Sequence, residues 1–183
     1  MEKQSENRRV FMTKRLLKEA LLNLLEEQEL ASISVTVLCD AADIHRSTFY
    51  KYYNSPTDLL TEIEQSILNQ IPTPSQTIDE QNQDQLLQET TAFFDFLKEN
   101  DKALRVLFSE KSGSTFSLKL VEYLCNNDYV PVGMNKDDLS AEFIQCYIAN
   151  GTVGMMRKWI ESGYKLDSRK LAEMMYFLSK KIN

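Results

Sequence analysis

Apolar residues at Leu16, Leu17, Ala20, Leu21, Leu24 and Leu25 recur at the spacing of one helix face. Lys14, Arg15 and Lys18 fall off that face, and Thr13 is placed to cap its start. This predicts a helix from Thr13 that ends in the stretch EEQELASIS, with Leu30 and Ile33 anchoring the connection. A second, short helix follows over Val35–Ala42, capped by Ser34, with Val35, Leu38, Cys39 and Ala42 inward. Asp43 and Ile44 form a tight link, and Asp43 suits a left-handed turn position, though less well than Gly. A third helix is expected over roughly His45–Tyr53, held to the core by Ile44 and Phe49, with Tyr53 at least partly buried. In NSPTDLL, Ser55 is an N-cap, Pro56 sits where its missing N–H costs nothing, and Asp58 faces the helix dipole. A fourth helix then runs to about Asn69 on a stripe of Leu59, Leu60, Ile63 and Ile67.

Residues 71–84 carry two prolines and many Gln, Asp and Thr, which predicts a loop. Helical patterns resume over 84–100, 102–109, 115–126, 138–162 and 168–181. Strand-like alternation is scarce, so the expected fold is all-α: three helices over residues 1–55, then a larger helical part over 56–183 that begins with the linking helix 56–69. The helix 138–162 is apolar nearly all round, and such a helix must be buried on more than one side. Packing on a partner subunit as well as on its own core satisfies that demand. Met155, Met156 and Trp159 with Leu171, Met174, Met175 and Leu178 are the candidate dimer interface, completing four helices across a twofold axis. The alternative is a monomeric bundle core.

Composition narrows the class further. Apolar residues make up 43% of the chain, enough for a packed core, and 5 Gly and 4 Pro suit long helices. No apolar run reaches the roughly 18 residues of a membrane span, and the basic N-terminus lacks a secretory apolar core. A cytoplasmic protein with no membrane partner is expected. Cys39, Cys125 and Cys146 form no metal-ligand spacing and read as small buried apolar residues; His45, the single histidine, has no ligating neighbour. There is no Gly-rich phosphate loop and no nucleophile–base set, so neither an enzyme nor a cofactor is expected. The net charge is −6, but its distribution is uneven: residues 1–18 set Lys3, Arg8, Arg9, Lys14, Arg15 and Lys18 against only Glu2 and Glu6.

A short helix, a tight link and a second helix carrying HRSTFYKYY form a helix-turn-helix pattern. In that arrangement one helix crosses a DNA backbone while the next enters the major groove. Arg46 and Lys51 can neutralise phosphates or donate to guanine, and Ser47 and Thr48 are short donors near the helix start. Tyr50 and Tyr52 offer hydroxyls to phosphate and rings to sugars or thymine methyls. The helix starts at Ser34 and Ser55 supply N–H groups to anions. His45 and Thr57, on or beside these helices, complete the candidate DNA-binding set. Taken alone, STFYKYY reads equally well as an amphipathic helix with solvated tyrosines.

The frame from Leu16 to Leu60 resembles the TetR family of bacterial transcriptional regulators, through ISVTVLCDAADIHRSTFYKYY followed by NSPTDLL. The ending GTVGMMRKWIESGYKLDSRKLAEMMYFL is similar to the C-terminal region of one branch of that family found in low-GC Gram-positive bacteria. The resemblance implies a homodimer that binds a palindromic double-stranded DNA operator, acts as a repressor, and is released by a small-molecule effector of unknown identity or by a protein co-regulator. It implies that Thr36, Arg46, Ser47, Thr48, Tyr50, Lys51 and Tyr52 face DNA, while Phe49 and Tyr53 are structural. The chain departs from the pattern at Asp43, where Gly is usual, at His45, where Ser or Asn would cap, and at Pro56, where Lys is frequent. These departures imply weaker DNA affinity, or compensation by Arg8, Arg9, Lys14 and Arg15. The alternative is an interaction protein or co-activator whose C-terminal domain docks a protein partner.

For an effector, the candidate pocket residues are Phe93, Phe94, Phe108, Phe116, Tyr123, Phe143 and Tyr147, with Gln145 and Asn150 as polar groups inside an apolar helix. Ordinary core packing is the competing reading for each of them.

Overall fold

The computed structural model describes residues 2–72, 83–126 and 139–182. Among them the regular structure is helical throughout: α1 (Glu2–Glu27), α2 (Val35–Ala42), α3 (Arg46–Phe49), α4 (Pro56–Leu68), α5 (Gln83–Glu99), α6 (Asp101–Leu107), α7 (Phe116–Asn126), α8 (Leu139–Glu161) and α9 (Ser168–Ile182). Single 3₁₀ turns stand at Leu30–Ser32 and Glu110–Ser112. The chain divides into two compact units. The first runs to Ile67 and takes in Val106–Ser114; the second holds Leu68–Arg105 and the chain from Thr115 onward.

In the first unit Leu17, Leu21, Leu25, Leu38, Phe49 and Leu59 are fully buried, with Ile33, Ala42, Tyr53 and Ile63 beside them. Thr13 does not cap α1, because the helix already starts at Glu2. Residues 2–12 contain neither Gly nor Pro and are rich in Glu, Lys, Gln and Arg, which favour helix without any apolar stripe to announce it. Leu16 is 37% exposed, so the buried stripe is narrower than its spacing predicts. α2 has the expected bounds, and the Ser34 hydroxyl accepts from the Val37 N–H at 3.2 Å. Asp43 ends it in the left-handed region at φ 52°, ψ 45°. α3 is shorter than expected. After Phe49 the bonds tighten from four-residue to three-residue steps, with Lys51 N–H on Thr48 O (3.3 Å) and Tyr52 N–H on Phe49 O (2.9 Å). Residues 50–52 are therefore a tight turn.

α4 begins as the sequence indicates. The Asp58 N–H donates to Ser55 Oγ at 3.2 Å, and Asp58 Oδ2 accepts from the Asn54 N–H at 2.9 Å, a reciprocal cap over Pro56. The hydrogen bond from Asn54 holds the Asp58 carboxyl below its usual range. The segment Val106–Ser114 is pinned inside this unit at two points. Ser114 Oγ donates to the buried Glu64 at 2.5 Å, and Lys111 Nζ donates to the Glu26 carbonyl at 3.1 Å, at the negative end of α1.

In the second unit α5 packs along α9 and α7 along α8. Phe94 and Trp159 meet edge-to-face at 5.4 Å, and Trp159 meets Tyr164 at 4.7 Å. The indole N–H donates to the Leu166 carbonyl at 2.8 Å. α8 ends in a Schellman turn: Tyr164 N–H bonds Trp159 O (3.1 Å) and Gly163 N–H bonds Ile160 O (3.0 Å). Both turn residues are left-handed, Gly163 at φ 70° and Tyr164 at φ 59°. The second is unusual for a bulky residue. The Tyr164 hydroxyl donates to Asp101, and Arg105 lies 5.4 Å from the ring and 2.6 Å from the same carboxylate. Burial, and then the Asp101 carboxylate, push the Tyr164 phenol well above its usual range.

α8 is not enclosed on all sides as its composition predicts. Ala149, Val153, Met156, Trp159 and Ile160 are buried, but Phe143 is 72% and Tyr147 67% exposed, and a Cβ added at Gly151 or Gly154 would meet open space. The predicted loop 71–84 lies outside the described residues except at Ile71, Pro72, and Gln83 and Asp84, which already belong to α5. The cysteines differ from one another: Cys39 is buried as expected, Cys125 is half-buried and Cys146 is exposed. Among the described residues no helix is long and apolar enough to cross a membrane.

Candidate nucleic-acid interface

The helix-turn-helix is built by three local choices. Ser34 starts α2, Asp43 turns the chain, and the buried Phe49 seats α3. His45 caps α3 by backbone only, with no side-chain hydrogen bond. The Phe49 ring meets Tyr50 at 5.6 Å and Tyr53 at 5.7 Å. Phe49 and Tyr53 are 0% and 4% exposed, whereas Tyr50 is 58% exposed. Ser34, Thr36, His45, Arg46, Ser47, Lys51 and Thr57 are exposed as well, and Thr48 and Tyr52 are half-buried. Arg46 Nη1 donates to Thr36 Oγ1 at 3.4 Å, which ties the guanidinium across the turn to α2. The candidate residues of α2 and α3 thus stand outside a seat formed by Phe49 and Tyr53.

Behind this surface lies a cluster the sequence reading missed. Glu62 on α4 is bridged by Lys14 Nζ at 2.9 Å and Lys18 Nζ at 3.0 Å, both from α1. Partial burial pushes the Glu62 carboxyl up, and the hydrogen bonds from Lys14 and Lys18 outweigh it and hold the group below its usual range. Lys14 Nζ also lies 5.9 Å from the Tyr52 ring centre and 5.3 Å from that of Tyr53. Among the described residues the Tyr53 hydroxyl is buried with no hydrogen bond of normal geometry; burial first, and the Glu62 carboxylate second, push this phenol well above its usual range. A signal was present in the sequence. Lys14 and Lys18 are like charges one helical turn apart, and such a pair is unfavourable unless an anion faces it. Of the four candidate compensating cations, Lys14 is engaged by Glu62 and Arg15 lies 3.7 Å from Glu19, while Arg8 and Arg9 are exposed.

The candidate effector residues differ in exposure. Phe93, Phe94 and Phe116 are buried, Phe108 and Tyr123 are half-buried, and Phe143 and Tyr147 face outward. Phe108 belongs to the first unit and the others to the second. The Gln145 amide donates to the Cys125 carbonyl at 2.6 Å, and the Asn150 amide to the Cys146 carbonyl at 2.8 Å. The candidate interface residues also divide. Met156, Trp159 and Leu171 are buried within their own unit and leave no surface for a partner. Met155 and Met175 are half-buried; Met174 and Leu178 are 40% and 46% exposed. Among the described residues no group of His, Cys, Asp and Glu is placed to hold a metal ion.

An exposed helix-turn-helix followed by a helical bundle defines a class of transcriptional regulators, and the comparisons agree with that class. Residues 84–181 match the profile of the TetR transcriptional-regulator C-terminal region. The fold is similar to that of a TetR transcriptional regulator from Streptococcus agalactiae 2603V, with a TM-score of 0.70 and 20% identity over 96% of this chain and 98% of that one. A TetR-family regulator from Syntrophomonas wolfei is similar at a TM-score of 0.70 and 15% identity, covering 93% and 94% of the two chains. The dihydroxyacetone kinase operon activator DhaS is similar at a TM-score of 0.62 and 20% identity, covering 92% and 94%. No curated protein sequence matches. The chain belongs to the TetR family of transcriptional regulators.

Proposed function

We propose that the chain binds a palindromic operator as a homodimer and acts as a repressor released by an effector. The observation that carries this reading is the sorting of one short segment. Phe49 and Tyr53 are buried, while Arg46, Ser47, Tyr50 and Lys51 stand exposed around them with Thr36 tied to Arg46. Exposed cations interleaved with phenols and hydroxyls are the donors that phosphate and base edges require. The helix starts at Ser34 and Ser55 add N–H groups for phosphate, with Thr57 beside the second. For the homodimer, the support is the outward apolar face of α8, Phe143 and Tyr147 beside the small Gly151 and Gly154, together with Met174 and Leu178 on α9. A helix-turn-helix reader needs two half-sites, and a second copy on this face supplies the other reading head.

A genome-fragment binding screen tests the reading. The expected result is enrichment of fragments that share an inverted repeat, with half-site centres about 34–36 Å apart or a multiple of that. Recovery of no fragment above a random background would reject it. A second reading, a co-activator that docks another protein, rests on the same exposed apolar residues of α8 and α9. A purified chain that is monomeric by light scattering favours that reading over the homodimer.

A further inference from the structure

We infer that Glu62 restrains the sequence-independent DNA affinity of the reading head by holding Lys14 and Lys18 away from phosphate. The inference deepens the DNA-binding reading and rests on it. Three observations meet at this residue. The carboxylate lies 2.9 Å from Lys14 and 3.0 Å from Lys18, and it comes from a different helix than both. Lys14 sits at the rim of the candidate DNA face, 5.9 Å from the ring of Tyr52. The three side chains retain 28–34% exposure, so the lysines are close enough to solvent to move out if released.

The electrostatics set the direction. With Glu62 ionised, the two lysines share an anion and the cluster presents a single excess positive charge. Without it, two ammonium groups repel each other one helical turn apart. Each lowers its energy by reaching toward another anion, and a flexible four-carbon stem allows it. Against a duplex the available anion is phosphate, and each lysine that neutralises a phosphate releases counterions. That steepens the dependence of log K on log salt by about 0.9 per contact. Phosphate contacts add affinity on every sequence and so dilute discrimination. Glu62 thereby acts as a specificity-determining residue without touching DNA.

Of the cations that the sequence offers as compensation for Pro56, Lys14 is withdrawn by this pairing. Arg8 and Arg9 remain exposed on α1.

The test uses the full chain and fluorescence anisotropy on a labelled duplex of arbitrary sequence, titrated from about 50 to 200 mM salt. Glu62→Gln keeps the shape of the side chain and removes its charge. The expected result is a severalfold gain in non-specific affinity at low salt and a slope steeper by about 0.9 for one new contact, or about 1.8 for two. In the wild-type background Lys14→Gln/Lys18→Gln is expected to lower the slope by well under the roughly 1.8 of two phosphate contacts, because Glu62 already holds both ammonium groups. Two results overturn the inference: Glu62→Gln with unchanged or weaker binding, or a double-lysine variant whose slope falls by about 1.8. The second measurement stands on its own if Glu62→Gln does not fold. If the wild-type chain shows no salt-dependent binding to any duplex, the DNA-binding reading itself fails and takes the inference with it. A wild type that binds while Glu62→Gln leaves the slope unmoved sinks only the role given to Glu62.

Discussion

Tyr50 and Phe49 are neighbours with opposite duties. One is 58% exposed and the other fully buried. Truncating Phe49 leaves a cavity at the seat of α3, so Phe49→Ala is expected to destabilise the first unit by about 3–5 kcal/mol, measured by chemical denaturation. Tyr50→Ala/Lys51→Ala is expected to leave stability within about 0.5 kcal/mol, because both side chains are exposed. The same variant should lose at least about tenfold in specific DNA affinity, the scale of one good base or backbone contact. Full retention of specific affinity by a folded double variant would remove α3 from the proposed interface. This division of labour was legible in the sequence, because three tyrosines in four residues cannot share one buried face. Glu62 was not legible in the same way. Its partners lie more than forty positions earlier, and long-range ion pairs leave no periodic trace.

Among the elements, those that open on a side-chain cap were read well. α2 has the bounds its cap and stripe predict, and α4 starts at Pro56. Both begin with side-chain caps, which are local chemistry that a sequence displays openly. α1 was read too short, since its first turns bury nothing and carry helix-forming residues without a stripe. α3 was read too long, since its end is set by tightening of the backbone round Phe49. Ser34→Ala removes the hydroxyl that accepts from Val37 and is expected to cost about 1 kcal/mol of stability. Acid provides a second probe. Asp58 and Glu62 both have depressed carboxyl pKa values. Each therefore contributes stability above its unfolded pKa, and that contribution is lost as pH falls through its folded value. Asp58→Asn is expected to melt below wild type at neutral pH, with the difference closing at acid pH. A gap that persisted in acid would show that the α4 cap does not depend on the Asp58 charge.

For the molecule as a whole, the all-helical plan of the described residues followed from helical stripes and scarce glycine. What the sequence did not separate was core from exposed surface within the second unit. α8 is apolar on most sides, so periodicity alone could not tell Met156, which is buried, from Phe143, which is exposed. Composition is the same for a face that meets its own core and one that meets another chain. The structure separates the buried residues from the exposed ones, and the two sets should respond differently. Phe143→Lys/Tyr147→Lys is expected to remain folded by circular dichroism, to run as a monomer by light scattering, and to lose operator affinity. Met156→Lys is expected to unfold, since it buries an unpaired charge at a fully enclosed site. A stable dimer in the Phe143/Tyr147 variant would place the proposed twofold elsewhere.

The turn between α8 and α9 bears on how this regulator could be engineered. Short surface connections between helices are the usual places to graft a fluorescent reporter or an affinity tag. This one is a poor choice despite its exposed Gly163 and Lys165. The left-handed pair Gly163–Tyr164 closes the end of α8, and the Tyr164 ring is held by Trp159, Asp101 and Arg105. An insertion there would open the joint and loosen the tryptophan at the centre of the unit. It would cost the fold more than the same insertion on the solvent side of a frayed helix end.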